Sequence, residues 1–160
     1  MPRLPFVVLA LLLACGPEAA PSDDAGVSGA SNLLADPCAL VTVEEVESAT
    51  ASTVVSSGLV PDERLRFPED PKPCEYVTDG QHEAISVYVH PHDASDFTRL
   101  RDEDPRNTDT IEGVGDDAYA HGLASLTVRV GDGYFVLVTQ HGAGWAGIRD
   151  LKKLALAALD

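Results

Sequence analysis

The stretch Ser125–Thr139 reads SLTVRVGDGYFVLVT and decides the fold class. Leu126, Val128 and Val130 alternate with other residues, which is the period of two expected for a half-buried strand. Gly131-Asp132-Gly133 then turns the chain, and the run Tyr134–Val138 is apolar at every position, as in a strand covered on both faces. The stretch therefore predicts a β-hairpin whose second strand lies near the centre of a sheet.

A second hairpin is predicted upstream, in the stretch CEYVTDGQHEAISVYVH. Ile85, Val87 and Val89 alternate with Ser86 and Tyr88, and an Asp-Gly pair at 79–80 separates this run from the one before it. Two consecutive hairpins favour an antiparallel sheet, for which we expect about five or six strands.

Two short helices are predicted, one before the upstream hairpin and one between the two hairpins. Thr42 and Glu45 have the spacing of a capping box, and Val41 and Val46 have that of a hydrophobic staple, so a helix of about eight to ten residues should start here. Asp93–Leu100 predicts another short helix, capped by Asp93 or Ser95, and the charged tail that follows it is predicted to be loop.

The C-terminal stretch GIRDLKKLALAALD predicts a third, amphipathic helix. Its apolar residues recur at helical spacing and should pack on the core: Ile148, Leu151, Leu154, Ala155, Ala158 and Leu159. The sequence thus predicts an α+β fold, with a single antiparallel sheet and about three helices packed on one face. The order of elements also suggests an internal α-β-β-β duplication within one domain at 33–160.

The first 32 residues have a different composition from the rest of the chain. Phe6–Leu13 is an apolar run after a positive start, which predicts a signal peptide at 1–14, and it is too short to span a bilayer of about 30 Å. Gly16–Ser31 is rich in Gly, Ala, Ser, Pro and Asp, so 15–32 is predicted to be a flexible linker.

Leu12-Leu13-Ala14-Cys15 resembles the lipobox of bacterial lipoproteins. The resemblance implies cleavage after Ala14 and attachment of diacylglycerol to Cys15, with the new amino group as a further acylation site. Two or more acyl chains anchor a protein stably, so we expect an extracytoplasmic, membrane-anchored protein of the cell envelope, in the outer membrane if the source has one. An ordinary secretory signal with an incidental cysteine is the alternative.

The chain is strongly acidic, with a formal net charge of −15 at pH 7. Nucleic acid and anionic lipid would repel such a domain, so nucleic-acid binding is excluded. The acidic excess is interpreted as a source of solubility, with recruitment of a cationic ligand as the alternative. A further partner, an envelope protein or a small molecule, remains open.

Cys38 and Cys74 remain as a pair once Cys15 is assigned to lipid. Pairing is the default in an oxidising compartment, so we predict a disulfide that closes about 36 residues. A redox-active or metal-binding thiol pair is the alternative, but it would normally use the closer C-x-x-C spacing.

Three short motifs resemble a family of uncharacterised bacterial lipoproteins, a domain of unknown function. Asp36-Pro37-Cys38-Ala39-Leu40-Val41-Thr42 is similar to the family's D-P-C-x-L-L-T opening, with Val41 in place of the more usual Leu. Cys74-Glu75-Tyr76 is similar to its C-x-Y element, and the run GVGDDAY at 113–119 to its G-V-G-D-x-A-Y element. The resemblance implies an exported, anchored α+β domain with paired cysteines and no assigned catalytic residues.

His90-Pro91-His92-Asp93 is the best candidate for chemistry. Imidazoles at positions i and i+2 of an extended chain point the same way and could share a Zn or Cu ion with Asp93. No clear third or fourth ligand accompanies them, so the preferred interpretation is the end of a strand followed by a capped helix, and no metal site is assigned.

Two further motifs have a structural and a functional interpretation. Gly113-Val114-Gly115 could form a phosphate cradle, but Asp116 and Asp117 follow, so a turn is preferred. Trp145, in a glycine-rich segment with His141, could stack on a sugar or aromatic ligand, but burial beneath the last helix is preferred.

We therefore predict a lipid-anchored, non-catalytic binding or interaction module with no cofactor. The alternative is an extracytoplasmic hydrolase or metal-dependent enzyme built from loop residues around His90, Asp116 and His141. The sequence contains neither a G-x-S-x-G elbow nor an H-E-x-x-H motif, so no catalytic residue is assigned.

Overall fold

The computed structural model describes residues 33–65, 67, 70–80, 84–105, 108–140 and 145–160, and for 145 and 146 it describes the backbone alone. The predicted signal peptide at 1–14 and linker at 15–32, with Cys15, lie outside these residues.

The described residues form one antiparallel sheet of seven strands in the order β1-β2-β3-β7-β6-β5-β4. The strands are β1 Val54–Leu59, β2 Cys74–Thr78, β3 Ala84–His90, β4 Thr108–Thr110, β5 Asp117–His121, β6 Ser125–Val130 and β7 Gly133–Gln140. This confirms the α+β class with a single antiparallel sheet, although seven strands exceed the predicted five or six. Both predicted hairpins are present, and β7 occupies the central position that its apolar run indicated.

Four α-helices accompany the sheet in the described part of the chain: α1 Pro37–Leu40, α2 Val43–Thr50, α3 Ala94–Glu103 and α4 Trp145–Ala157. The capping box at the start of α2 is present: the Glu45 N–H donates to Thr42 Oγ1, and the Thr42 N–H donates to the Glu45 carboxylate at 2.7 Å. Val41 and Val46 are both fully buried, as expected for a staple. A single turn of 3₁₀-helix covers Asp62–Arg64.

One face of the sheet, called here the first face, packs against α1, α2 and α4. Its core is mainly aliphatic and includes Val87, Leu126 and Leu137 from the strands. The helices contribute Leu40, Val46, Ala49, Ile148, Leu151, Leu154 and Ala155. The predicted apolar stripe of the last helix is therefore the part of that helix that packs on the sheet.

Helix α3 packs on the opposite side of the sheet, called here the second face, which corrects the prediction that all helices share one face. Tyr134 and Tyr119 alternate with first-face residues along β7 and β5, so they point to the second face and need cover there. Phe97 of α3 is fully buried against both tyrosines. Helix α3 lies on the second face because Phe97 packs there against the two tyrosine side chains.

The suggested duplication holds for the strands only. β1-β2-β3 and β5-β6-β7 are both three-stranded meanders, and they meet where β3 pairs with β7. The helix that precedes the first meander, α2, lies on the first face, whereas α3 lies on the second. In a simple α-β-β-β repeat, the two meanders would be related by a two-fold axis perpendicular to the sheet between β3 and β7. Rotation about such an axis leaves each face of the sheet on the same side, so both helices would lie on one face.

Several boundaries differ from the sequence prediction. Helix α3 continues to Glu103 instead of ending near Leu100, and β4 begins at Thr108, within a stretch predicted to be loop. Asp93 is the N-cap of α3 by position, but its side chain makes no capping hydrogen bond. Strand β1 was not predicted at all.

Cys38 and Cys74 lie at disulfide distance, with 2.10 Å between their Sγ atoms. The pair connects α1 to β2 at the first face, where Cys74 is buried. The predicted pairing is thus present in the fold.

Among the described residues, none of the helices combines the length and the apolar character that crossing a membrane requires.

Candidate functional site

His90 lies at the end of β3 on the second face and is half-buried. Its ring stacks on that of Tyr134, with 4.4 Å between centroids and 8° between planes. Burial lowers the pKa of His90 below its usual value, against the opposing influence of Asp93, Asp96 and Asp70. The stacked, mostly neutral imidazole is thus a packing element of this face.

The rest of the His90-Pro91-His92-Asp93 motif forms a turn that leads into α3. His92 is exposed and has a left-handed backbone, with φ of 64°. In the part of the chain that the structure describes, no group of three or more His, Cys, Asp or Glu side chains is placed to hold a metal ion. The motif is thus a strand end, a tight turn and a helix start.

Phe97, Tyr119 and Tyr134 form an aromatic cluster beside His90, and sequence reasoning did not identify it. The Phe97 ring centroid is 5.1 Å from that of Tyr119 and 6.1 Å from that of Tyr134, both at tilted angles. The Arg129 guanidinium lies 5.9 Å from the Phe97 ring centre, a cation–π distance. The three aromatic residues are spread over α3, β5 and β7, so no local sequence pattern joins them.

The hydroxyl of Tyr134 donates a hydrogen bond to Asp96 Oδ2 at 3.2 Å. Burial, followed by the charge of Asp96, raises the pKa of Tyr134 above its usual value, and burial raises that of Tyr119 as well. Both phenols therefore stay protonated at neutral pH. The cluster therefore provides buried aromatic surface and the hydrogen-bonded hydroxyl of Tyr134, and it does not provide a general acid at neutral pH.

Asp116 has a structural partner. Its Oδ2 accepts a hydrogen bond of 2.6 Å from the Gly131 N–H, and its own N–H donates to the Arg129 carbonyl. Gly115 has φ of +56°, and a Cβ there would lie 2.5 Å from the same carbonyl oxygen. The Gly-Val-Gly segment is therefore a tight turn that closes on the β6-β7 connection, where a larger residue at 115 would not fit.

The described fold keeps two residues of the alternative enzyme site, His90 and Asp116, apart. Strands β7 and β6 lie between His90 on β3 and Asp116 at the start of β5, a separation of roughly 14 Å at about 4.8 Å per strand. His141 and the side chain of Trp145 lie outside the described residues.

Strand β1 is the most exposed element of the sheet. Val55 and Leu59 are 62% and 55% exposed, and Ser56, Ser57 and Gly58 between them are exposed as well. Within the described residues β1 pairs with β2 on one side and ends the strand order on the other. The whole strand, VVSSGL, contains no charged residue in a chain of net charge −15.

The outward hydrogen-bonding groups of β1 can be identified from its pairing. The Val60 N–H donates to the Pro73 carbonyl at 3.0 Å, on the side of β2. Because hydrogen-bonding direction alternates along a strand, Ser57 and Leu59 direct their N–H and C=O groups away from β2. Among the residues that the structure describes, no strand pairs with these groups.

A groove of about 170 Å³ runs along this edge, lined by Ser56 to Val60 with Arg64 and Glu75. Arg64 and Glu75 form an ion pair at 2.8 Å on its wall. A second groove, of about 240 Å³, lies between α2 and α4. Glu44, Glu45, Ser48 and Lys153 line the second groove; of these, Glu45 takes part in the capping box of α2, and Lys153 forms an ion pair with Asp150 at 2.9 Å.

In comparisons with family models, curated proteins and solved structures, nothing matches the chain.

Proposed function

We propose that this protein is a lipid-anchored interaction module that works outside the cytoplasm and binds an extended partner segment along β1. Cys15 is the site of lipid attachment, the segment 15–32 is the tether, and the domain at 33–160 is the binding body. The observation that carries the proposal is the exposed edge of β1, a strand that has no charged residue of its own.

An unpaired strand edge exposes a row of backbone donors and acceptors, and proteins normally protect such edges. Charged residues, proline, short length and bulges are the usual means of protection. β1 has one irregularity, between Val54 and Ser56, but it has no charge and no proline over six residues. An edge left this accessible fits recognition by strand addition, in which main-chain hydrogen bonds supply affinity and side chains supply specificity.

The tether is supported by the sequence. The lipobox-like run that ends at Cys15 and the linker composition of 16–31 fit a domain held near a bilayer. A linker of about 17 residues has a root-mean-square reach of roughly 20 to 25 Å, which is enough for β1 to meet a partner on the same membrane.

The tether is tested by labelling cells with palmitate. We expect the wild-type chain to incorporate label and to fractionate with membranes, and Cys15→Ser to lose both properties. Label on the Cys15→Ser chain, or unchanged fractionation, would contradict the tether.

The binding edge is tested with a photo-crosslinking amino acid at position 55, in cells that produce the full chain. Ser57→Pro removes the outward N–H without touching the β2 ladder, whereas Ser57→Ala keeps it. We expect adducts with the parent chain and with Ser57→Ala, and a loss of at least tenfold with Ser57→Pro. Equal adducts from all three chains would show that β1 is not the binding edge.

The enzyme alternative is not favoured by any contact described above. His90 is engaged in stacking, Asp116 in a turn, and the two are separated by two strands.

A further inference from the structure

Strand β1 offers its outward hydrogen-bonding groups over a short window. The N–H of Val54 donates to Glu47 Oε1 at 2.9 Å, so the group at the start of the strand is already used. Pro61 follows the other end and has no N–H. Ser57 and Leu59 lie between these limits and direct their N–H and C=O groups away from β2. A partner strand therefore pairs with the backbone groups of these two residues.

Gly58 lies at the centre of this window and leaves space beside it. It pairs with Glu75 of β2, and, apart from its chain neighbours, no described atom lies within 4 Å of the place that a Cβ would take. The groove of about 170 Å³ passes this point. A partner residue opposite Gly58 forms a non-hydrogen-bonded pair, in which side chains lie closest. The window thus favours a partner with a large side chain at its middle residue.

Two basic side chains near β1 are each paired with a carboxylate. Arg64 donates to both oxygens of Glu75, at 2.8 and 3.0 Å. Lys72 forms an ion pair of 2.5 Å with Asp62, just beyond the end of the strand. Neither cation is therefore left to balance a further carboxylate at this edge.

Three more carboxylates border β1, and none of them forms an ion pair within the part of the chain that the structure describes. Asp79 and Glu47 accept hydrogen bonds of 2.8 and 2.9 Å from the N–H groups of Thr53 and Val54, at the start of the strand. Glu63 is exposed and lies beyond the other end. The edge thus has an uncharged middle with unbalanced negative charge at both ends.

We propose that the segment that binds β1 is an extended basic segment of a partner protein, with Lys or Arg near both ends and an uncharged middle that contains one large side chain. The six residues of β1 span about 17 Å, so the two basic residues should be about six positions apart. The net charge of −15 attracts such a segment before contact. This inference rests on the proposed function, because it names the chemistry of the partner of the same edge.

The test is a titration of the full, lipidated chain in neutral detergent micelles, followed by the fluorescence anisotropy of labelled peptides. The basic probe is acetylated and amidated Lys-Thr-Val-Tyr-Val-Thr-Lys with a neutral dye, and the acidic probe has Glu in place of both Lys residues. We expect the basic probe to bind roughly tenfold or more tightly than the acidic one at low salt. The difference should shrink at high salt, because exposed charges are screened.

Paired charge-removing variants locate the contact. Glu47→Gln together with Glu63→Gln should weaken binding of the basic probe about fivefold, because two exposed ion pairs are lost. Glutamine can still accept the hydrogen bond at the start of the strand, so the fold is kept. Glu44→Gln together with Glu112→Gln is the matched control, since it changes the net charge equally at exposed positions elsewhere. We expect this control to bind the basic probe as the parent chain does.

Ser57→Pro separates strand pairing from attraction to an acidic surface. It removes the outward N–H, so binding of the basic probe should fall roughly tenfold or more, whereas Ser57→Ala should bind like the parent chain. Peptide mapping of the Cys38–Cys74 disulfide checks that each variant is folded. Undiminished binding by Ser57→Pro, or equal effects of the two glutamate double variants, would overturn the proposal.

Photo-crosslinking at position 55 distinguishes failure of this inference from failure of the proposed function. Adducts that depend on Ser57 and lie on a segment with Lys or Arg support both. Ser57-dependent adducts on a segment without Lys or Arg, or Ser57-dependent binding of the acidic probe as tight as that of the basic one, leave the function standing and overturn the basic partner. Absence of Ser57-dependent adducts together with no binding of either probe overturns both.

Discussion

One face of the sheet is covered by three helices in the described chain, whereas the other is covered by α3 over part of its area. On the first face, many aliphatic side chains share the packing, and the Cys38–Cys74 pair ties α1 to the sheet. On the second face, one side chain of α3, Phe97, is fully buried. Val77, Tyr88, Val136 and Val138 on that face remain half-buried.

This difference indicates two kinds of stability in one domain. Loss of a first-face contact should weaken the whole fold, because α2 and α4 pack on each other as well as on the sheet. Loss of the Phe97 contact should release α3 while the sheet persists. Regions with few buried apolar contacts open locally at lower free energy than the global core.

The largest effect is expected from removing the disulfide with Cys38→Ala and Cys74→Ala together. A bridge that closes 36 residues restricts the unfolded chain, and its loss should lower the free energy of unfolding by about 4 kcal/mol. Urea denaturation of the double variant against the wild type measures this. Reduced wild-type protein should match the double variant, and a loss below about 1 kcal/mol would contradict the role of the bridge.

The next test compares Leu154→Ala on the first face with Phe97→Ala on the second. Both residues are fully buried, and each truncation should cost about 3 kcal/mol. We expect Leu154→Ala to lower protection of amides throughout the sheet in hydrogen exchange. Phe97→Ala should deprotect chiefly α3.

Leu156→Ala provides the control for this pair, because Leu156 lies on the same helix as Leu154 but is 40% exposed. Its effect should be within about 0.5 kcal/mol. If Phe97→Ala lowers protection across the first face as much as Leu154→Ala does, the two faces are one cooperative unit and the comparison fails.

The first face could be predicted from the sequence because its patterns are local. The alternation in β3 and β6, the capping box at Thr42 and the stripe of α4 each lie within one short segment. The side that α3 occupies could not be predicted in this way. β7 is apolar on both faces, and α3 has Phe97 and Leu100 as its only large apolar residues, so the sequence does not say which face it covers.

The candidate site was harder to predict than the fold. The cysteine pair could be predicted because two cysteines remain once Cys15 is assigned to lipid. Strand β1 could not be predicted, because its adjacent valines and the small residues after them show neither a period of two nor a helical period. Its position at the edge depends on the order of all the strands, which no local pattern determines. The His90–Tyr134 stack similarly depends on the pairing of β3 with β7.

A smaller effect, specific to the first face, is expected at alkaline pH. The Tyr76 hydroxyl donates to the buried Val41 carbonyl, and burial, followed by Glu45 and Asp36, raises the pKa of Tyr76 to about 12. Because the folded state favours the neutral phenol, stability should fall as pH rises above the unfolded value of about 10 toward 12.

Tyr76→Phe tests this, since it removes both the titration and the hydrogen bond. We expect it to cost about 2 kcal/mol at pH 7, because it leaves a buried carbonyl without a donor, and to show less decline above pH 10 than the wild type. Identical alkaline profiles of urea midpoints would exclude Tyr76 as the source.

The smallest effect is expected on the second face, from His90. Burial lowers its pKa in the folded state, so the neutral ring is favoured and stability should decrease as pH falls below the unfolded value of about 6.5. Replacement by Gln should therefore reduce the loss of stability between pH 7 and pH 5, measured from urea midpoints. His92→Asn is the matched control, because His92 is exposed two residues away and Asn tolerates its left-handed backbone. If His92→Asn changes the acid profile and His90→Gln does not, the stacked ring is not what makes the second face sensitive to acid.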